Sequence, residues 1–134
     1  MGNYELVILF HPYKLGKIED AINPYLELIR KSGSLQALES WGMRTLSYPI
    51  QKLLKAEYLF LQFSSTQDVL VDLSKSLRFD PLVLRYQPIK LRINHVYSPT
   101  ELIDHDLTSK LQQHFNLTPI TQDLETTTEE SSNE

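Results

Sequence analysis

The amino-acid sequence predicts an α+β fold, a four-stranded antiparallel sheet with two helices on one face. Three observations carry that prediction. Hydrophobic periodicity alternates between strand-like and helix-like spacing in the order β-α-β-β-α-β. Two runs, Tyr4–His11 and Ala56–Phe63, are apolar on both faces, as strands in the interior of a sheet are. The prolines that interrupt strand patterns, Pro49 and Pro88, fall on the other two strands, where a missing N–H can face solvent. In the ferredoxin-like split βαβ (βαββαβ) arrangement the first and third strands are central and the second and fourth are edges. The expected strand order is therefore 4-1-3-2.

Each element has its own justification. In Tyr4–His11, Leu6, Ile8 and Phe10 point to one face and Val7 and Leu9 to the other. From Lys17 to Lys31, Ile18, Ile22, Tyr25, Leu26 and Ile29 recur at helical spacing, and Ser32-Gly33 is a stop signal. Pro24 sits inside that pattern and predicts a kink or a delayed start. Ser34–Gln51 reads as a long second strand. "LLK" then reads as a tight hairpin turn into Ala56–Phe63, in which Tyr58, Phe60 and Gln62 face one way and Leu59, Leu61 and Phe63 the other. Ser65 or Thr66 is the N-cap of a second helix, with Asp68 near its positive end and Val69, Leu70, Leu73 and Leu77 on its apolar face. "FDP" breaks that helix, and Val83–Asn94 is the last strand. The predicted helices cover residues 17–32 and 66–77. The predicted core is Leu6, Ile8, Ile22, Ile29, Leu59, Leu61, Phe63, Leu70, Leu73 and one of Val83 or Leu84.

With 134 residues and 41% hydrophobic content the chain can bury a core of one domain. It has no cysteine, which excludes disulfides, thiolate metal sites and cysteine nucleophiles. No apolar run approaches the ~20 residues of a membrane span, so no membrane partner is expected. "MGNYELVILFHP" lacks the basic segment and cleavage site of a secretory signal, and no transit segment precedes the first strand. The four histidines, His11, His95, His105 and His114, show no metal-ligand spacing, so no metal is expected. The net charge of −4 conceals an uneven distribution. Residues 1–100 carry 12 Lys and Arg against 9 Asp and Glu, a net of +3, and residues 101–134 carry Lys110 against 8 acids, a net of −7. We expect a folded domain over 1–97 and an acidic extension over 98–134, weakly helical at 101–116 and then disordered. Removing residues 101–134 is expected to cost no core.

The segment "WGMRTLSYPIQK" (41–52) is unusual for an edge strand: it combines Trp41, Arg44, a Tyr-Pro step and Lys52. Together with "YELVILFHP" at the start and "LRFDPLVLRY" before the last strand, it resembles the bacterial small-subunit ribosomal protein S-six family over residues 3–96. The resemblance implies a non-enzymatic structural component of the small ribosomal subunit. It implies binding to the central domain of the small-subunit ribosomal RNA together with ribosomal protein S-eighteen, with no cofactor and no small-molecule substrate. It places phosphate contacts on Arg44, Tyr48 and Lys52, with Tyr4, Lys55, Arg78 and Arg85 contributing. Met43 stands where many members carry a second basic residue, and Pro24 and Pro88 also depart from the pattern. The ribosome of a bacterial cytoplasm, or of a plastid or mitochondrion, fits equally.

The sheet face without helices would carry Val7, Leu9, Tyr58 and Phe60, and exposed aromatics on an open sheet imply a protein partner. Plainer roles exist for the same residues. Trp41 suits packing better than base stacking. Lys52 and Lys55 suit the guarding of a sheet edge. Tyr4 lies in the core-facing register, so that its hydroxyl alone reaches the surface, and the tail of the chain itself is an alternative cover for Tyr58 and Phe60. Two other functions share this fold. An RNA-recognition module would stack bases on first- and third-strand aromatics, yet "KAEYLFLQF" lacks the Gly-Phe-Gly/Ala-Phe pattern. A small enzyme would need a phosphate cradle or convergent acid–base groups, and "HPYKLGK" after the first strand has no glycine-rich cradle.

Overall fold

The structure, a computed structural model, describes residues 2–14, 16–92 and 97–115. It contains β1 (Gly2–Phe10), α1 (Ile18–Ser32), β2 (Ser34–Ile50), β3 (Leu53–Ser65), α2 (Gln67–Phe79), β4 (Val83–Lys90) and α3 (His105–His114). The strands form one antiparallel sheet in the order β2-β3-β1-β4, as expected. Leu6 pairs with Leu61 and Ile8 with Leu59 across the central pair. Every even residue of β1 from Tyr4 to Phe10 is therefore buried beneath α1 and α2, together with Leu59, Leu61 and Phe63. From the predicted core, Leu70 and Val83 are only partly buried, at its margin.

The helices follow their local chemistry. Thr66 is the N-cap of α2, its hydroxyl accepting from the Val69 N–H at 3.4 Å. Helix α1 ends where the Gly33 N–H bonds the Ile29 carbonyl at 3.0 Å. Pro24 neither delays nor interrupts α1. Pro24 and Asp20, whose carbonyl would otherwise receive an N–H from position 24, are both exposed, on the solvent side of the helix where a freed carbonyl costs least. The Tyr25 hydroxyl donates to Asp80 and ties α1 to the turn before β4. Burial first, and the neighbouring Asp80 carboxylate second, push that phenol far above its ordinary pKa.

Three sequence expectations require correction. The hairpin turn is Gln51-Lys52, and "LLK" instead opens β3. Both turn residues have positive φ, 50° and 65°, which matches a two-residue turn with left-handed positions but without the usual glycine. Strand β4 ends at Lys90, because its partner β1 runs out at Gly2; Leu91 makes one last bond, 2.8 Å to the Asn3 carbonyl. Of the residues expected to continue it, 93 and 94 lie outside the described residues.

The third correction concerns the tail. Its helix is shorter than expected, His105–His114, and it is packed onto the body. Leu111 and Phe115 are 2% and 8% exposed and belong to the main core. The Asp104 side chain caps α3 by accepting from Leu107 N–H at 3.1 Å. The Asp104 N–H and the Thr108 hydroxyl oxygen take the outward carbonyl and N–H of Ser40, at 2.8 and 2.9 Å. Those are edge groups of β2 that would otherwise lack partners. The expected disorder beyond residue 116 lies outside the described residues.

Candidate nucleic-acid interface

Topology collects cations at one end of the sheet. Strand β1 finishes at Phe10, opposite Glu57 of β3 and Val83 of β4. The loop after β1, the overhanging β2–β3 hairpin and the α2–β4 turn must all lie beyond that point. The 2.7 Å bond from the His11 N–H to the Leu82 carbonyl joins two of them. The Arg85 guanidinium, 5.8 Å from the ring centre of Tyr48, joins the hairpin to β4. This end therefore carries Arg44, Lys52, Lys55, Arg78 and Arg85, all exposed. It also carries Lys14 and Lys17, which the sequence reading missed. The signal was available: a loop following a central strand emerges beside the hairpin of the same sheet.

Aromatic rings stand among these cations. Tyr13, Tyr48 and Phe79 are 74%, 59% and 75% exposed, and all three lie at this end. Arg78 stacks over Phe79 at 6.0 Å. A depression of about 460 Å³, lined by Val7, Leu9, Arg78, Arg85 and Gln87 among others, continues from this end along β4. Among the acids nearby, Asp80 is held inward by Tyr25 and by the Leu82 N–H at 2.8 Å. Lys52 is held by a left-handed backbone that costs a non-glycine residue energy. Tyr4 does not join this set. It is at the opposite end, 7% exposed and packed on Phe63 with 5.8 Å between ring centres.

The residues expected to meet RNA and those expected to meet a protein partner adjoin on the sheet. In antiparallel pairs, partners share a face. Arg44 pairs with Ala56, in the same alternation as Tyr58, and Arg85 pairs with Leu9. Arg44 and Arg85 thus border Val7, Leu9 and Tyr58 on the open face. Lys55 pairs with Thr45 and points the other way.

The open face is also partly closed, in part by the chain's own tail, the alternative cover that the sequence offered for Phe60. Val7, Leu9 and Tyr58 remain half-buried, whereas Phe60 is only 4% exposed. Trp41 stacks on Phe60 at 5.7 Å and 12°, and Tyr97 covers it from the tail at 6.4 Å and 27°. Trp41 shares this face with Glu39 by simple alternation, and the bulge that places Ser40 and Gly42 opposite successive β3 residues, Leu59 and Tyr58, brings Arg44 onto it as well. Gly42 permits that bulge at φ 73°. Beside the stack, Glu39 is wholly buried. Its carboxylate accepts from Trp41 Nε1 at 2.8 Å, from the Thr100 N–H at 3.2 Å and hydroxyl at 2.7 Å, and from the Tyr97 hydroxyl. Burial and then the Glu39 carboxylate hold the Tyr97 phenol firmly protonated.

Where this segment rounds the edge, Glu57 meets Asp104. Half-burial, and secondarily the Asp104 charge, raise the Glu57 pKa above its ordinary 4.5. A carboxyl raised on folding binds protons better in the native state. It therefore adds stability below about its ordinary value and loses it as pH rises through the raised one. Glu57→Gln is expected to be more stable than the parent at neutral pH and to remove this part of the pH slope. Urea midpoints of both proteins across about pH 4 to 8, a span that takes in the ordinary carboxylate range, check this; identical slopes would refute it.

The chain is similar to known proteins in sequence and in fold. The family model described as "Ribosomal protein S6" matches residues 3–90. The chain is 35% identical over 104 residues to "Small ribosomal subunit protein bS6" of Blochmanniella floridana, covering 77% of this chain and 86% of that one. Its fold is similar to the crystal structure of 30S ribosomal protein S6 from Thermotoga maritima, with a TM-score of 0.62 at 20% identity, covering 85% of this chain and 97% of that one.

Proposed function

The chain belongs to the ribosomal protein S6 family, proteins of the small ribosomal subunit, and we propose that it binds small-subunit ribosomal RNA through the cation-and-aromatic end of its sheet while ribosomal protein S-eighteen binds the open sheet face. One observation carries the RNA reading. The fold gathers Lys14, Lys17, Arg44, Lys52, Lys55, Arg78 and Arg85 at one end, together with the exposed rings of Tyr13, Tyr48 and Phe79. Phosphates reward such cations by releasing counterions. Unpaired bases of irregular RNA stack on exposed rings. The half-buried strip of Val7, Leu9 and Tyr58 is the matching support for a protein partner. The role is structural, within the ribosome, and uses no cofactor and no substrate.

The rival in which bases stack on Tyr58 and Phe60 fits poorly, since Trp41 of the body already stacks on both rings. The test uses saturating S-eighteen, so that partner loss cannot imitate RNA loss. Lys52→Ala with Lys55→Ala, one at the hairpin turn and the other pointing away from the open face, is expected to weaken ribosomal RNA binding. It should flatten the dependence of log affinity on log salt by up to about 1.8, roughly 0.9 per lost duplex phosphate contact and less on irregular RNA. Pairing with S-eighteen should persist. An unchanged salt slope would refute the assignment of this end to RNA.

A further inference from the structure

Residues 97–115 cross three surfaces of the body in order. Tyr97 and Thr100 lie on the open face, over Phe60 and Glu39. Asp104 and Thr108 round the β2 edge at Ser40. Leu111 and Phe115 enter the core on the helix side, where the Phe115 carbonyl accepts from Arg30 at 3.3 Å. The attachment is uneven. The anchor is apolar and buried, whereas the part on the open face is held by hydrogen bonds to one carboxylate and by one ring contact.

We propose that residues 97–104 are a displaceable strap that, in the free protein, occupies part of the site on the open face where the protein partner docks. This rests on the reading, given above, that S-eighteen uses that face.

Three observations carry it. First, the apolar strip of Val7, Leu9 and Tyr58 is continuous with Phe60: Val7 pairs with Phe60 and Leu9 with Tyr58. A partner docking on that strip meets Tyr97 at its border. Second, the group sealed beneath the strap is a carboxylate. A permanent cover would be served as well or better by an apolar side chain, because desolvating an ion is costly. Glu39 suits a contact that opens, since lifting the strap returns the carboxylate to water, and the Phe60 ring uncovered with it is the surface that the partner then meets. Third, the strap can lift without unfolding the domain, because Leu111 and Phe115 hold α3 on the far side of β2.

The strap also shows what chemistry the site takes. The occupying segment lays an aromatic ring on Phe60 and three residues later brings two donors to Glu39. A partner segment with an aromatic residue and a hydroxyl or cationic donor at similar spacing satisfies the same groups. Because the competent state is only a fraction of the free protein, apparent affinity is reduced by that fraction.

The test uses the full chain and its Tyr97→Ala, Thr100→Ala double variant, which leaves α3 and its anchors in place. Trp41, the single tryptophan, reports on the stack directly. Binding of S-eighteen is titrated, and hydrogen exchange of residues 97–104 is measured with and without it. The variant is expected to bind about tenfold more tightly. In the parent complex the strap amides should lose protection while α3 keeps its own. Equal affinity with a strap that stays protected would overturn the strap but leave the partner reading standing. Weaker binding by the variant would make the strap part of the platform and also overturn the proposal. Absence of binding by both forms would overturn the partner reading and the strap with it.

Discussion

Leu111→Ala is expected to destabilise the protein by about 2–5 kcal/mol, as much as truncation of a residue in the middle of the sheet. The composition around it argues otherwise, for the segment is polar, acidic and only loosely amphipathic. Its position decides. Leu111 is 2% exposed and shares the core with Ile29 and Leu38, although it follows the last strand of the sheet. Removing its side chain leaves a cavity between α3 and the body. It also weakens the seat of Thr108, which satisfies the Ser40 edge group. Urea unfolding followed by Trp41 fluorescence and by far-UV circular dichroism checks the value. A change below about 0.5 kcal/mol, the range of an ordinary surface substitution, would mean that α3 is not docked in solution. Cutting the chain after residue 100 should be at least as damaging, contrary to what the acidic composition of the tail suggests.

Leu61→Ala has an expected cost in the same range, about 2–5 kcal/mol, for a different reason. Leu61 is fully buried on the central strand β3, paired with Leu6 on one side and Leu38 on the other. Both helices cover this face, so the hole cannot be filled by a shift of the surface. Phe60 supplies the control. It is its neighbour in sequence, but it points to the open face and is covered by Trp41 and Tyr97. Phe60→Ala should loosen the strap, raising hydrogen exchange at residues 97–104, whereas Leu61→Ala should lower global stability with little selective effect there. Denaturation midpoints and exchange rates together separate the two. Were Leu61→Ala nearly neutral, the face assignment of β3 would be reversed.

Most of the body was legible because its elements are local. Alternation in Tyr4–Phe10 and in the β3 run encodes two faces, and helical spacing from Ile18 to Ile29 encodes one apolar stripe. Edge prolines could be placed because a strand either has a partner on its N–H side or does not. The hairpin turn was misplaced by two residues, since Gln51-Lys52 carries neither glycine nor asparagine to mark a left-handed turn. Tyr4 stands in the core-facing register that its even position beside Leu6 and Ile8 encodes, at the end of the sheet away from the cations. Lys14 and Lys17 were missed because charge was read along the chain, while the cluster forms across three loops.

By itself the sequence determined the order of elements, the sheet topology, the core-facing registers and the resemblance to a ribosomal family. These depend on periodicity and on residue types at short range, which a linear pattern records. The tertiary structure alone decided that residues 97–115 are part of the body, that Phe60 is covered, and that Arg44 and Arg85 share a face with Val7 and Leu9. Each of those facts joins residues far apart in the chain, such as Glu39 to Thr100 or Tyr48 to Arg85. Periodicity tells a residue which way to face within its own element. What it then meets depends on where the other elements have been carried.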